Sequence, residues 1–165
     1  MIKKNKPVYL CGFMGSGKST VGRLLAKKLG KEFIDLDDYI EEQEGMSIPE
    51  IFEKKGEPYF RQKESDALAH LPNSAGVVAT GGGTLLKKEN GDRAKSLGTV
   101  VYIDTPFELC YGRIKGDKNR PIAYSSTEQQ LKERYEQRKP LYIENSEFSV
   151  DGTGTPMQIV NSILT

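Results

Sequence analysis

Short apolar, β-branched runs alternate along the chain with stretches whose apolar positions recur every three or four residues. Val8–Cys11 reads as a strand, and from Lys18 to Leu29 the residues Val21, Leu24, Leu25 and Leu29 keep helical spacing. Phe33–Leu36 is a second strand. Ser47-Ile-Pro-Glu50 has the form of a capping box with proline in the first turn, which predicts a helix through Ile51 and Phe52. A further helix is predicted over Tyr59–Leu71, and a third strand over Val77–Thr80, closed by Gly81-Gly82-Gly83. Thr99–Asp104 is the fourth strand, and Thr105-Pro106 starts the next helix. Glu128–Arg138 is helical and is predicted to stop or kink near Pro140, which has no N–H to donate. Phe148–Val150 and Pro156–Leu164 supply a fifth strand and a closing helix. This rhythm predicts an α/β fold with a parallel sheet covered on both faces.

One stretch breaks the rhythm. Lys115–Thr127 is polar, charged and too long for a routine connection, so it is read as a lid. The chain has 165 residues, so a single domain over 1–165 is expected. Its 24 basic and 23 acidic residues leave no basic field for nucleic acid or an anionic membrane. The apolar runs are too short to span a bilayer, and the polar N-terminus lacks a signal-peptide core, so a cytoplasmic protein is expected. Cys11 and Cys110 form no CxxC, and with one histidine a zinc site is not expected. Both read as free thiols, buried or half-buried. His70, between helical leucines, is read as a helix residue without a catalytic role.

Gly12-Phe-Met-Gly-Ser-Gly-Lys18-Ser19 fits GxxxxGK[ST], after a strand and before a helix as that motif requires. Its backbone N–H groups and the helix start form an anion cradle. Gly12, Gly15, Ser16, Gly17, Lys18, Ser19 and Thr20 are therefore the expected ATP-binding set, with Lys18 on the β- and γ-phosphates and the Ser19 hydroxyl on Mg²⁺. No [NT]KxD follows, and Asp151-Gly-Thr-Gly154 lies too late to be a GTPase switch. Asp35-Leu-Asp37-Asp38 ends the second strand, where ligands sit in such sheets. In an extended chain Asp35 and Asp37 point to one side: one carboxylate suits Mg²⁺, the other an acceptor hydroxyl. Asp38 is expected to cap the helix through Tyr39 and Ile40. Arg61 and Arg138 by spacing alone read as exposed helix arginines beside Glu64 or Glu136. Three successive glycines at 81–83 suggest a close backbone approach to a ligand.

Gly12–Ser19, Asp35-x-Asp37, Phe60-Arg61-Gln-Lys-Glu64, Gly81–Gly83, Arg120-Pro121 and Arg138-Lys-Pro-Leu-Tyr142 together, in this order, resemble the shikimate kinase family from the first strand to the last helix. The resemblance implies a three-layer P-loop domain with a five-stranded parallel sheet, order 2-3-1-4-5, and a mobile lid at about 115–127. It implies phosphorylation of the 3-hydroxyl of shikimate by ATP with Mg²⁺. Lys18, Asp37 and Arg120 would be catalytic, Ser19 and Asp35 would face the metal, and Asp37, Arg61, Gly82, Gly83 and Arg138 would bind the acceptor. Arg113 and Pro156 would flank the adenine, and Arg120 would reach the transferring phosphate. The expected partners are these small molecules alone, with a monomer, no nucleic acid and no membrane. The chain departs from the family where Ile122-Ala123-Tyr124 replaces the usual pair of leucines, and at Ser146, usually alanine. A same-fold kinase of another hydroxy acid such as gluconate, and a catalytically silent nucleotide-binding regulator, are the rival readings.

Overall fold

The computed structural model describes residues 1–72 and 75–165. Five strands, β1 (Val8–Cys11), β2 (Glu32–Asp35), β3 (Ala75–Ala79), β4 (Thr99–Asp104) and β5 (Phe148–Asp151), form one parallel sheet in the order β2-β3-β1-β4-β5. This is the order the motifs implied. β1 is central, with Leu10 opposite Ala79 of β3 and Val101 of β4.

Because side chains alternate along a strand, the central strands feed two cores. Val8, Leu10, Val77, Val101 and Ile103 face helices α1 (Lys18–Leu29) and α9 (Pro156–Leu164), where Val21, Leu25, Ile159 and Ile163 are buried. Tyr9, Cys11, Val78, Val100 and Tyr102 face the other side and join Phe107, Cys110, Leu131, Tyr135 and Tyr142. These last come from α6 (Phe107–Ile114) and α8 (Glu128–Glu144). A third cluster, Leu36, Ile40, Ile51, Phe60 and Ala67, belongs to α2 (Leu36–Glu44), α3 (Ile48–Lys55) and α4 (Glu57–Ala69). Those three helices thus form an arm with an apolar centre of its own. The capping box at Ser47 and Glu50 is present, and equivalent boxes open α8 at Thr127 and α9 at Thr155.

Three expectations are corrected, and one helix is added. β2 ends at Asp35, and Leu36 already begins α2, since Leu36 gains full burial by turning into the arm's core. The extended geometry expected for Asp35–Asp37 is therefore replaced by a strand-to-helix junction. The cap of α2 is Asp35, not Asp38: the Asp35 carboxylate accepts the N–H groups of Asp37 and Asp38. Helix α8 runs on through Pro140 to Glu144, so of the stop or kink expected there the stop is ruled out. Its last turn is held by Tyr142, which is buried and stacked on Tyr102 with ring centroids 5.4 Å apart. Finally, α5 (Lys88–Leu97), which follows a 3₁₀ turn at Thr84–Leu86, had no sequence signal. Its sequence KENGDRAKSL offers no apolar stripe, and the buried part of its face is Asn90, Gly91 and Ala94. A short helix α7 (Pro121–Tyr124) lies inside the segment read as a lid.

The entry to β4 leaves no room for a side chain. A Cβ at Gly98 would overlap the Pro7 carbonyl oxygen, the same oxygen that accepts the Thr99 N–H at 3.0 Å. The clash is with backbone, so a rotamer change cannot relieve it. Gly98→Ala is expected to destabilise the fold by on the order of 2–4 kcal/mol, read as a shifted midpoint in urea unfolding with an unchanged slope.

Candidate active site

The carboxyl ends of β1, β2 and β3 deliver the site. β1 runs into Gly12–Gly17, where Gly15 at φ 78° and Gly17 at φ 99° occupy left-handed conformations. A Cβ at Gly15 would also come within 2.8 Å of the Cys110 carbonyl. Gly17 is the N-cap of α1 and has no side chain to cap it, so the first N–H groups of that helix are left to face a ligand. Lys18 folds back, and its Nζ donates to the carbonyls of Gly12 at 2.8 Å and Phe13 at 3.1 Å. The Ser16 hydroxyl is buried without a hydrogen-bond partner among the described residues.

Asp35 performs two tasks with two oxygens. Oδ1 caps α2, and Oδ2 accepts the hydroxyl of Ser19. The two residues expected at the metal are thus in direct contact. Asp37 sits in the first turn of α2, and its Oδ1 is buried with no protein partner among the described residues. Burial, and then the charges of Glu64 and Asp35, push its pKa from 3.8 to about 7. Lys18 moves the other way, to about 8, through burial and then the nearby Arg120. Lys18, Asp37 and Arg120 therefore occupy one electrostatic neighbourhood.

Two cavities meet there. The larger, about 460 Å³, is lined by Gly15, Gly17–Thr20, Asp35, Arg113, Asp117 and Arg120 among others. The smaller, about 70 Å³, is lined by Met14, Phe52, Phe60, Arg61, Glu64, Gly83 and Arg138. Asp37, Ile48, Gly81, Gly82, Asn119 and Arg120 line both. Arg120 comes from the segment read as a lid, and its Nε is 3.2 Å from Asp117 Oδ2. Arg113 reaches over the phosphate loop and donates from Nη1 to the Gly15 carbonyl at 2.8 Å. Pro156 opens α9 at an exposed position and does not line either cavity.

The two arginines differ in environment. Arg61 donates to Glu57 at 3.2 Å and to Glu64 at 2.8 Å, so the carboxylate pairing that spacing suggested is real, yet the side chain also faces the cavity. Arg138 is 7% exposed and makes no ion pair among the described residues. Burial, and then Arg134 and Arg61, make its charge harder to hold. A buried guanidinium in a cavity, with no ion partner among the described residues, is a candidate receptor for an acid.

Sequence reasoning paired Arg61 with Glu64 but foresaw neither the burial of that carboxylate nor the other supports. Glu64 is 1% exposed and holds Arg61 with one oxygen and the Thr84 hydroxyl with the other, at 2.7 Å. Its signal was the three-residue spacing from Arg61, which brings helical side chains together. Tyr142 and Asn145 reach the Gly82 and Leu85 carbonyls, and nothing in the sequence marked either contact. His70 is exposed at the end of α4, away from both cavities, as expected of a non-catalytic residue.

Comparisons with known proteins converge. Residues 14–165 match the family model described as shikimate kinase. A curated relative from Persephonella marina, named shikimate kinase, is 46% identical over 159 residues, covering 95% of this chain and 96% of its own. The solved structure of shikimate kinase from Acinetobacter baumannii in complex with shikimate is similar at a TM-score of 0.91 and 42% identity, over 96% of this chain and 90% of that one. The crystal structure of shikimate kinase from Aquifex aeolicus is similar at a TM-score of 0.85 and 42% identity, over 96% and 94%.

The raised pKa of Asp37 has a stability consequence. The folded chain keeps this proton up to about pH 7, whereas the unfolded chain releases it near 3.8. Between those values the unfolded state binds fewer protons, so this group's contribution to stability falls as pH rises through the window and levels off above it. Asp37→Asn cannot ionise. In Mg²⁺-free buffer its stability relative to the parent is expected to improve between pH 4 and pH 8, by roughly 2–4 kcal/mol, measured by urea unfolding at the two pH values.

Proposed function

The chain belongs to the shikimate kinase family, and on that premise we propose that it transfers the γ-phosphoryl group of ATP to the 3-hydroxyl of shikimate, giving shikimate 3-phosphate and ADP. The observation that carries this reading is the junction of the two cavities at Asp37 and Arg120. A triphosphate in the larger cavity and a small acid in the smaller one would meet only there.

Each residue then has a physical task. The P-loop amides and Lys18 receive the β- and γ-phosphates, with Thr20 at the cavity edge. By the family resemblance Arg113 and Pro156 flank the adenine, Arg113 from the wall of the larger cavity and Pro156 from outside it. Arg61 and Arg138 grip the acceptor carboxylate with planar guanidinium forks, above a floor of Gly82 and Gly83. Arg120 turns from Asp117 to the charge that develops on the transferring group. Ser19 and Asp35 present adjacent hard oxygens, a donor set that fits Mg²⁺. Among the described residues no three His, Cys, Asp or Glu converge as a metal cage, so such an ion would draw its other ligands from phosphate and water. When bound, Mg²⁺ neutralises phosphate charge.

Asp37 faces the accepting hydroxyl. Phosphoryl transfer passes through a loose transition state in which the acceptor oxygen is weakly bonded and little deprotonated. Positioning is therefore the first demand on Asp37, and receiving the proton the second. A carboxylate with its pKa near 7 and one unpartnered oxygen suits both. We read the protein as a monomeric single domain of the cytoplasm. Both cysteines are free and buried, and among the described residues no helix is long and apolar enough to cross a membrane.

A coupled ADP-release assay with shikimate, gluconate and nucleoside monophosphates tests the reaction. Turnover is expected with shikimate alone, and a preference for either other acceptor refutes the assignment. In the same assay Lys18→Ala is expected to lose more than about tenfold in kcat while keeping the parent's circular dichroism spectrum. Retention of activity would remove Lys18 from the transition state.

The segment 115–127 is proposed as the lid. Most of its residues are exposed or half-buried, and Ala123 is its one fully buried side chain, so closure must draw on Arg120 meeting phosphate. Amide hydrogen exchange across it is expected to slow when nucleotide and shikimate are added together. Equal rates in the free and ternary states would exclude closure.

A further inference from the structure

The turn of α8 beyond Pro140 carries Tyr142, which lines neither cavity and is buried to 1% exposure. Its ring stacks on Tyr102, and its hydroxyl donates to the Gly82 carbonyl oxygen. Arg138 lies four residues earlier on the same helix, so the two side chains share a face. Gly82 and Arg138 are themselves neighbours, since a Cβ on Gly82 would stand 3.6 Å from Arg138 Nη1.

We propose that Tyr142 is a positioning residue for the acceptor acid, holding the Gly82–Gly83 peptide and the Arg138 guanidinium in register from behind the pocket. The inference rests on the reading of Gly82 and Arg138 as acceptor ligands. Three consecutive glycines have more backbone freedom than any other tripeptide, and a pocket floor made of them must be fixed from outside. A peptide unit is planar, so pinning the Gly82 carbonyl also orients the Gly83 N–H at its other end. Asn145, on the same turn, donates to the Leu85 carbonyl at 2.6 Å and secures the far end of the loop. Burial raises the phenol's pKa, so it remains a proton donor throughout the working range. Pro140 costs α8 one hydrogen bond, and the turn persists because these two contacts and the tyrosine stack hold it.

The test is steady-state kinetics on the full-length protein. Tyr142→Phe keeps the stack and removes only the hydroxyl. It is expected to raise the KM for shikimate about five- to tenfold while the KM for ATP changes less than about twofold. Tyr102→Phe removes a hydroxyl that points at Asp104, 3.3 Å away, and is expected to change neither constant. Arg138→Lys, the direct ligand variant, is expected to raise the shikimate KM at least as much as Tyr142→Phe. If Arg138→Lys raises it and Tyr142→Phe does not, the inference fails and the acceptor reading stands. If neither moves it, both fail. Equal rises in the two KM values with a lowered Tm would show a purely structural role and also overturn the proposal. Should Tyr142→Phe not fold, Tyr142→Met fills the same space without a hydroxyl and is judged by the same constants.

Discussion

Three neighbouring strands, β3, β1 and β4, are almost wholly buried on both faces, so nothing polar can leave them except at their ends. That constraint organises the molecule. Parallel strands share one carboxyl edge, and on that edge the chain must turn, expose backbone amides and accept polar side chains. β1 releases the phosphate loop there, β2 releases Asp35, and β3 releases Thr80 and the glycine triplet. The residues assigned to chemistry lie within a few residues of that edge or reach it from α4, α6, α8 and the segment 115–127.

The edge also gathers charge where water is scarce. Lys18 and Asp37 are each pushed toward neutrality by burial, and each is partly restored by the other. Among the described residues Arg138 has no carboxylate of its own, while Arg61 has two. The cavity these two arginines line is therefore under-compensated at Arg138. On the proposed reading, anions that arrive with the reactants complete its charge, which ties binding selectivity to the same buried groups.

Much of this was readable in the sequence. The phosphate loop and the capping box at Ser47 obey local rules, and both appear at the expected residues. The sheet order followed from the family resemblance and not from periodicity. What escaped was decided by tertiary contact. Leu36 leaves the strand because a separate apolar cluster can bury it. Pro140 stays helical because Tyr142 and Asn145 are anchored across the chain, about sixty residues from their partners. α5 exists because Asn90 and Gly91 fit against Thr84 and Asn145, a reason invisible to any hydrophobic pattern. At Arg61 the ion pair expected from spacing and a place on the cavity wall coincide, since Glu64 holds the guanidinium there.

Asp35 stands at the junction of strand and helix, one oxygen on the amides of α2 and the other on Ser19. Position 35 is thus under two selections that do not depend on each other. A descendant of this protein that had abandoned catalysis would still gain from a capping side chain there, because the arm would still have to fold. On the proposed reading, decay of function in such a lineage should show at position 37, whose Oδ1 has no protein partner among the described residues, before it shows at position 35.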